Sequence, residues 1–127
     1  MSTNTPAHPA WVRHCFSDNY AQARQKFIAA AGKAGARLEH HVLDNGPLGA
    51  QGEPLATDVA LWGDPDARSL LIVTSGVHGA EGFCGSGCQV AWLEDEPAMS
   101  LARRQGVAVL LIHAVNPFAV TIAEDMS

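Results

Sequence analysis

Apolar residues recur along this chain in two rhythms. Between residues 20 and 31, Tyr20, Ala23, Phe27, Ala30 and Ala31 fall on one helical face, with Gln22, Arg24 and Lys26 largely outside it. The pattern predicts a helix capped by Ser17 or Asp18 and running to about Lys33, where Gly32 and Gly35 weaken and end it. Arg37 to Asp44 alternates weakly and predicts a strand. Asn45-Gly46-Pro47-Leu48-Gly49 is a turn cluster, and the polar stretch to Pro54 reads as loop. Thr57 to Trp62 predicts a second strand, with Val59 and Leu61 on one face, before the turn Gly63-Asp64-Pro65-Asp66. These two strands suit an antiparallel pair joined by a long loop.

Two later segments are continuously apolar. Ser69 to Thr74 predicts a strand suited to burial on both faces, and Val107 to Ile112 predicts another. Between them, a helix is expected from near Cys84 to Glu94 or Asp95, ended by Pro97, with a further helical turn over Met99 to Gln105. Strand, helix and strand in that order predict a right-handed crossover with the strands parallel. Their carboxyl ends then share one sheet edge. That brings the Ser75–Phe83 loop beside His113-Ala114-Val115-Asn116-Pro117. The fold class read from this order is α/β, a mixed β-sheet flanked by helices.

Composition narrows the function classes. The 127 residues suffice for one modest domain, and 47% apolar with 17% charged residues argues for a globular chain. The formal net charge is −5 and there is no basic run, which argues against a nucleic-acid partner. Arg103-Arg104 reads as a solvated helix face. No apolar stretch approaches the ~20 residues of a membrane span. Residues 1–10 carry no apolar core of a secretory signal, so a cytoplasmic chain is expected. The three cysteines, Cys15, Cys84 and Cys88, suit reduced thiols better than a disulfide framework.

The candidate chemistry centres on His78-Gly79-Ala80-Glu81-Gly82, a glycine-rich loop at the end of a core strand. A neutral imidazole nitrogen and a carboxylate oxygen both suit zinc at about 2.0–2.2 Å, and three-residue spacing lets them face one point. The competing reading is a β–α turn whose polar side chains cap the next helix. Cys84 and Cys88 lie one helical turn apart. They are soft-ligand candidates, and Cys84 could be a nucleophile with His78 as base. Alternatively they are small residues that, with Gly85, Ser86 and Gly87, let a helix pack closely on the sheet. Asn116 is a candidate for binding substrate. His113 is a candidate metal ligand, or else a strand-end histidine satisfied by backbone. His40 and His41 alternate across a strand and cannot both face one site. His8 and His14 lie in the lead-in without an assigned role. There is no serine nucleophile elbow, phosphate-binding loop or dinucleotide fingerprint.

The stretch Ile72 through Ser86 resembles the zinc-ligand segment of the carboxypeptidase A-like metallopeptidase superfamily. Within it, the chain looks closest to a bacterial branch of uncharacterised metallopeptidase-like proteins. Aspartoacylase and succinylglutamate desuccinylase, in the same superfamily, carry a related Gly-x-His-Gly-x-Glu pattern. Phe16 to Tyr20 and Ile112 to Phe118 resemble the same branch, so the likeness spans about residues 15–118. It implies a mixed α/β sheet flanked by helices, in an incomplete zinc carboxypeptidase-like (phosphorylase/hydrolase-like) fold. It also implies that His78 and Glu81 are the first two ligands of one zinc ion, which polarises a carbonyl and activates water. The third ligand it implies, a histidine on a later strand, has no matching position here. Neither has the general acid/base glutamate. After Pro117 the branch continues with substrate-contacting segments that residues 119–127 do not match.

The expectation is thus an N-terminal part of a zinc-dependent peptidase or amidohydrolase. Residues 1–16 form an irregular lead-in, 17–118 part of the α/β domain and 119–127 a divergent tail. The substrate of the full-length relative would be a peptide or N-acyl amino acid. With two of three ligands, the isolated chain is expected to have little or no hydrolase activity. A thiol hydrolase using Cys84 and His78 is a second reading. A third is a non-catalytic α/β module or remnant that associates with a partner. A sheet ending at the Val107–Ile112 strand would leave an unpaired edge there, which invites self-association.

Overall fold

The computed structural model describes residues 10–125. The lead-in contains one helical turn, α1 (Ala10–Arg13), and residues 1–9, with His8, lie outside the described residues. Helix α2 spans Tyr20–Lys33 and buries the five apolar positions its periodicity marks. Its cap is Asn19, one residue beyond the predicted pair. Asn19 takes extended backbone, and its side-chain oxygen accepts the Gln22 N–H at 2.8 Å. The Asp18 N–H donates to the Gln22 Oε1 at 2.9 Å. Gln22 thus gives its N–H to the cap residue and accepts the N–H of the residue before the cap, a variant of the capping box.

Four strands follow the predicted segments closely: β1 (Arg37–Val42), β2 (Ala56–Trp62), β3 (Ser69–Thr74) and β4 (Val107–His113). They form one mixed sheet in the order β1-β2-β4-β3. The β1–β2 and β2–β4 pairs are antiparallel, while β3 and β4 run parallel. Helix α3 (Gly82–Leu93) connects the parallel pair, followed by α4 (Glu96–Arg104). Pro97, expected to end a helix, instead sits in the first turn of α4 behind the Asp95 cap. There its missing N–H is not needed.

The core lies between one sheet face and α2, α3 and α4. Ala60, Trp62, Val109 and Leu111 of the sheet meet Phe27, Val90, Leu93 and Met99 of the helices. The alternation of β2 sends Ala56, Asp58, Ala60 and Trp62 to that face, all buried. A buried carboxylate therefore stands in the core layer. Asp58 is 0% exposed and is held by Arg24 and by the Nδ1 of His40.

Two expectations about the sheet are corrected. The Ser69–Thr74 strand is not buried on both faces. As β3 it is an edge strand with one neighbour, and Leu70 and Ile72 remain 53% and 55% exposed. The unpaired edge is also not at Val107–Ile112. Strand β4 is central, because the crossover returns the chain between β3 and β2. Leu70 and Ile72 share the second sheet face with the half-buried Leu61, Leu110 and Ile112, opposite the helical layer.

Beyond β4, helix α5 (Pro117–Asp125) continues through residues 119–125. It buries Val120 against Tyr20, Leu55 and Ala114. The hydroxyl of its Thr121 accepts the Ala50 N–H at 2.9 Å, which ties the long β1–β2 loop to the same end of the sheet. Among the described residues, no helix is long and apolar enough to cross a membrane.

Candidate metal centre

The loop after β3 is laced to the loop after β4. The Val115 N–H donates to the Ser75 carbonyl at 2.9 Å, and the Asn116 N–H donates to the Gly76 carbonyl at 2.8 Å. The Ser75 side chain adds a buried link. Its hydroxyl lies 2.8 Å from the Gln89 Oε1 of α3 and accepts the Ala114 N–H at 3.2 Å. Two strand ends and one helix thereby share a single anchoring residue.

Gly76 makes the close approach feasible. It takes φ +69°, and a Cβ there would stand 2.8 Å from the Ala114 Cα. Both the left-handed backbone and the missing side chain are required. The chain then turns outward. His78 and Glu81 project into solvent with 80% and 63% of their side chains exposed, and the His78 Nδ1 lies 2.9 Å from the Glu81 Oε1.

This pairing bears on the capping alternative. Glu81 occupies the N-cap position of α3 but makes no side-chain cap hydrogen bond. Its carboxylate is turned to the imidazole. The 2.9 Å contact is a hydrogen bond, and an edge of a zinc tetrahedron with bonds near 2.0 Å is roughly 3.3 Å, so the two donors need part only slightly to share an ion. The donor set therefore fits part of a zinc site. Among the described residues, no third His, Cys, Asp or Glu donor gathers with this pair.

The other candidates fall in different places. Asn116 sits beside the loop through its backbone, but its Oδ1 accepts the Ala119 N–H at 3.1 Å and caps α5. His113 faces away from the loop, into the core. It stacks on Phe27 with ring centroids 4.6 Å apart, and its Nε2 lies 2.8 Å from the Ser86 hydroxyl. The partner is thus a side chain rather than the expected backbone group. Burial pushes the His113 pKa down to about 4; nearby Asp58 opposes this and Arg24 adds to it. His113 is therefore a neutral core residue at pH 7, and its Nδ1 is buried without a partner. His40 faces Asp58 on one side of β1 while His41 pairs with Glu39 on the other.

Cys84 and Cys88 stand on the exposed side of α3. Burial and the neighbouring Cys84 thiol raise the Cys88 pKa. The close helix packing uses the glycines instead: a Cβ on Gly85 would meet the Ser75 Cβ at 2.9 Å.

Two constellations escape a sequence reading. Arg24, His40 and Asp58 come from three elements, though the core-facing phase of β2 marks Asp58. His14, Cys15 and Glu94 gather their donor atoms within 4.8 Å of one another. Seventy-eight residues separate Cys15 from Glu94, and no local pattern links them.

Residues 16–124 match the family described as "Protein of unknown function (DUF2817)". No curated protein matches the chain. Among solved structures, the fold is similar to glutaminyl cyclase from Fimbriiglobus ruber, with TM-score 0.51 and 12% identity over 86% of this chain and 48% of that one. Glutaminyl cyclase from Macrostomum lignano gives TM-score 0.47 and 10% identity over 88% of this chain and 43% of that one. Leucine aminopeptidase from Caenorhabditis elegans gives 0.46 and 11% over 80% and 27%. At such identity the F. ruber likeness speaks for the fold alone. The chain spans about half the length of that cyclase.

Proposed function

This chain belongs to the DUF2817 family of unknown function, and on that premise we propose that it carries two ligands of a zinc-dependent hydrolase site. The reaction class is amide hydrolysis within the carboxypeptidase A-like superfamily, on a peptide or an N-acyl amino acid. The observation that carries this reading is the His78–Glu81 contact: Nδ1 and Oε1 lie 2.9 Å apart, exposed, with Glu81 free of a capping bond.

When bound, zinc supplies a polarised carbonyl and an activated water. His78 contributes a neutral nitrogen, and Glu81 contributes the negative charge that favours a divalent cation. Ser75, Gly76 and Gln89 anchor the start of the loop that carries both donors. The Asn116 N–H donates to the Gly76 carbonyl, which keeps this residue beside the loop. We assign it to substrate contact once its amide is released from the α5 cap. Two ligands make a weak chelate, so this chain alone should hydrolyse little or nothing, and a longer polypeptide would be the active species.

Zinc uptake by the purified chain, measured by calorimetry in a Cys15→Ser background, tests the reading. We expect weak binding that His78→Ala and Glu81→Gln each abolish. Uptake indifferent to both substitutions would sink it. So would chelator-sensitive amide hydrolysis unaffected by either change.

A second reading rests on a separate observation, the exposed apolar edge at Leu70 and Ile72. It makes the chain a non-catalytic α/β module that pairs through β3. A chain that binds no zinc at neutral pH yet self-associates would favour it.

A further inference from the structure

We propose that His14, Cys15 and Glu94 form a second metal site, for zinc or a similar borderline divalent cation, that clamps the lead-in to the end of α3. It does not depend on the reading of the His78 loop.

The argument starts from the donors. The His14 Nε2 lies 3.0 Å from the Glu94 Oε2, and the Cys15 Sγ lies 3.5 Å from the same oxygen. All three donor atoms fall within 4.8 Å of one another. A tetrahedral site with bonds of about 2.0–2.3 Å has edges of roughly 3.3–3.7 Å. Small rotations of two side chains therefore bring all three onto one ion. Nitrogen, sulfur and carboxylate oxygen together favour zinc-like cations over magnesium or calcium, which want oxygen alone.

Placement supports the same conclusion. Cys15 is fully buried, whereas the His14 and Glu94 side chains are 58% and 30% exposed. The ion can enter from the open side and keep a fourth position for water. A cleft of about 590 Å³ opens beside His14 and Glu94. Glu94 is the C-cap of α3, and the last turn of that helix carries no basic residue. A carboxylate there meets the negative end of the helix dipole, so a bound cation would relieve an unfavourable placement. Coordination replaces the Cys15 S–H bond with a sulfur–metal bond, and the proton leaves to solvent.

The site is separate from the His78 loop. His78 and Glu81 precede α3, and Glu94 follows its twelve residues, which span roughly 18 Å. One ion cannot use both sets of donors.

The test is a cobalt(II) titration of the full chain carrying Cys84→Ser and Cys88→Ser, so that Cys15 is the sole thiol. Thiolate-to-cobalt charge-transfer absorption should appear and saturate at one equivalent. It should persist in His78→Ala and Glu81→Gln, which separates this site from the proposed hydrolase site. Cys15→Ser should abolish it. His14→Ala and Glu94→Gln alter exposed side chains and should leave the fold intact, yet each should weaken binding at least about tenfold. Absence of the band in the Cys15-only chain would overturn the proposal. So would affinity unchanged in both His14→Ala and Glu94→Gln.

Discussion

Arg24 holds Asp58 at two points, Nε to Oδ2 at 2.7 Å and Nη2 to Oδ1 at 3.1 Å. The His40 Nδ1 reaches the same carboxylate at 2.6 Å. Helix α2 and strand β1 are thereby tied to a charge in the core layer of β2. Removing one partner leaves a buried charge short of compensation, which costs more than the pair contributes over an apolar replacement. Arg24→Met should destabilise the chain by about 3 kcal/mol. Urea unfolding should show a lower midpoint with an unchanged slope. An Arg24→Met/Asp58→Leu double variant should recover much of the loss, and a double variant worse than both singles would contradict this account.

Acid should weaken the fold in two stages. Burial keeps His113 neutral by lowering its pKa from 6.5 to about 4. Between those values the unfolded chain binds a proton that the folded chain refuses, so stability is lost as pH falls from about 6.5 to 4. The amount is on the order of 3 kcal/mol. For Asp58, burial works to raise the pKa, but the hydrogen bonds from Arg24 and His40 outweigh it and hold the carboxyl below its ordinary 3.8. Its contribution is intact above that value and disappears only as pH drops further, through the folded pKa. Denaturation curves at a series of pH values should resolve both stages. His113→Gln should flatten the upper stage and leave the lower one in place.

Gly76→Ala should damage both the fold and the loop. Its φ of +69° disfavours a side chain, and the added Cβ would stand 2.8 Å from the Ala114 backbone. Left-handed strain and overpacking together should cost about 3 kcal/mol. Because Gly76 leads directly into Val77 and His78, zinc uptake at the loop should fall as well. Glu81→Gln, at an exposed position, should abolish uptake at the loop with stability changed by less than about 0.5 kcal/mol. Calorimetry and melting of the two variants side by side would expose any failure of that contrast.

Strand β3 presents an apolar edge, with Leu70 and Ile72 more than half exposed. Such edges pair with other strands unless charge or proline blocks them. Sedimentation of the chain should show mass rising with concentration, and Ile72→Lys should suppress the rise. A wild-type chain that stays monomeric at high concentration would remove the basis for association through this edge.

The sequence by itself determined the elements from α2 to β4, their order and the loop that carries the candidate chemistry, but neither α1 in the lead-in nor α5 in the divergent tail. Helical periodicity marked the five buried positions of α2, and the apolar runs marked β3 and β4, because local burial patterns repeat with the backbone period. The crossover argument also foresaw that the His78 and Asn116 loops adjoin, since parallel strands end on one edge. Only the tertiary structure decided which strand lies at the edge. An apolar run looks the same in β3 and β4, and pairing alone makes one central and the other exposed. It also decided what each histidine touches. His113 belongs to the core, His40 to the Asp58 network and His14 to a cluster with Cys15 and Glu94, because those partners lie on different elements. Contacts across such sequence distances leave no spacing to read. His78 and Glu81 were legible because three residues of one glycine-rich turn suffice to bring their donor atoms together.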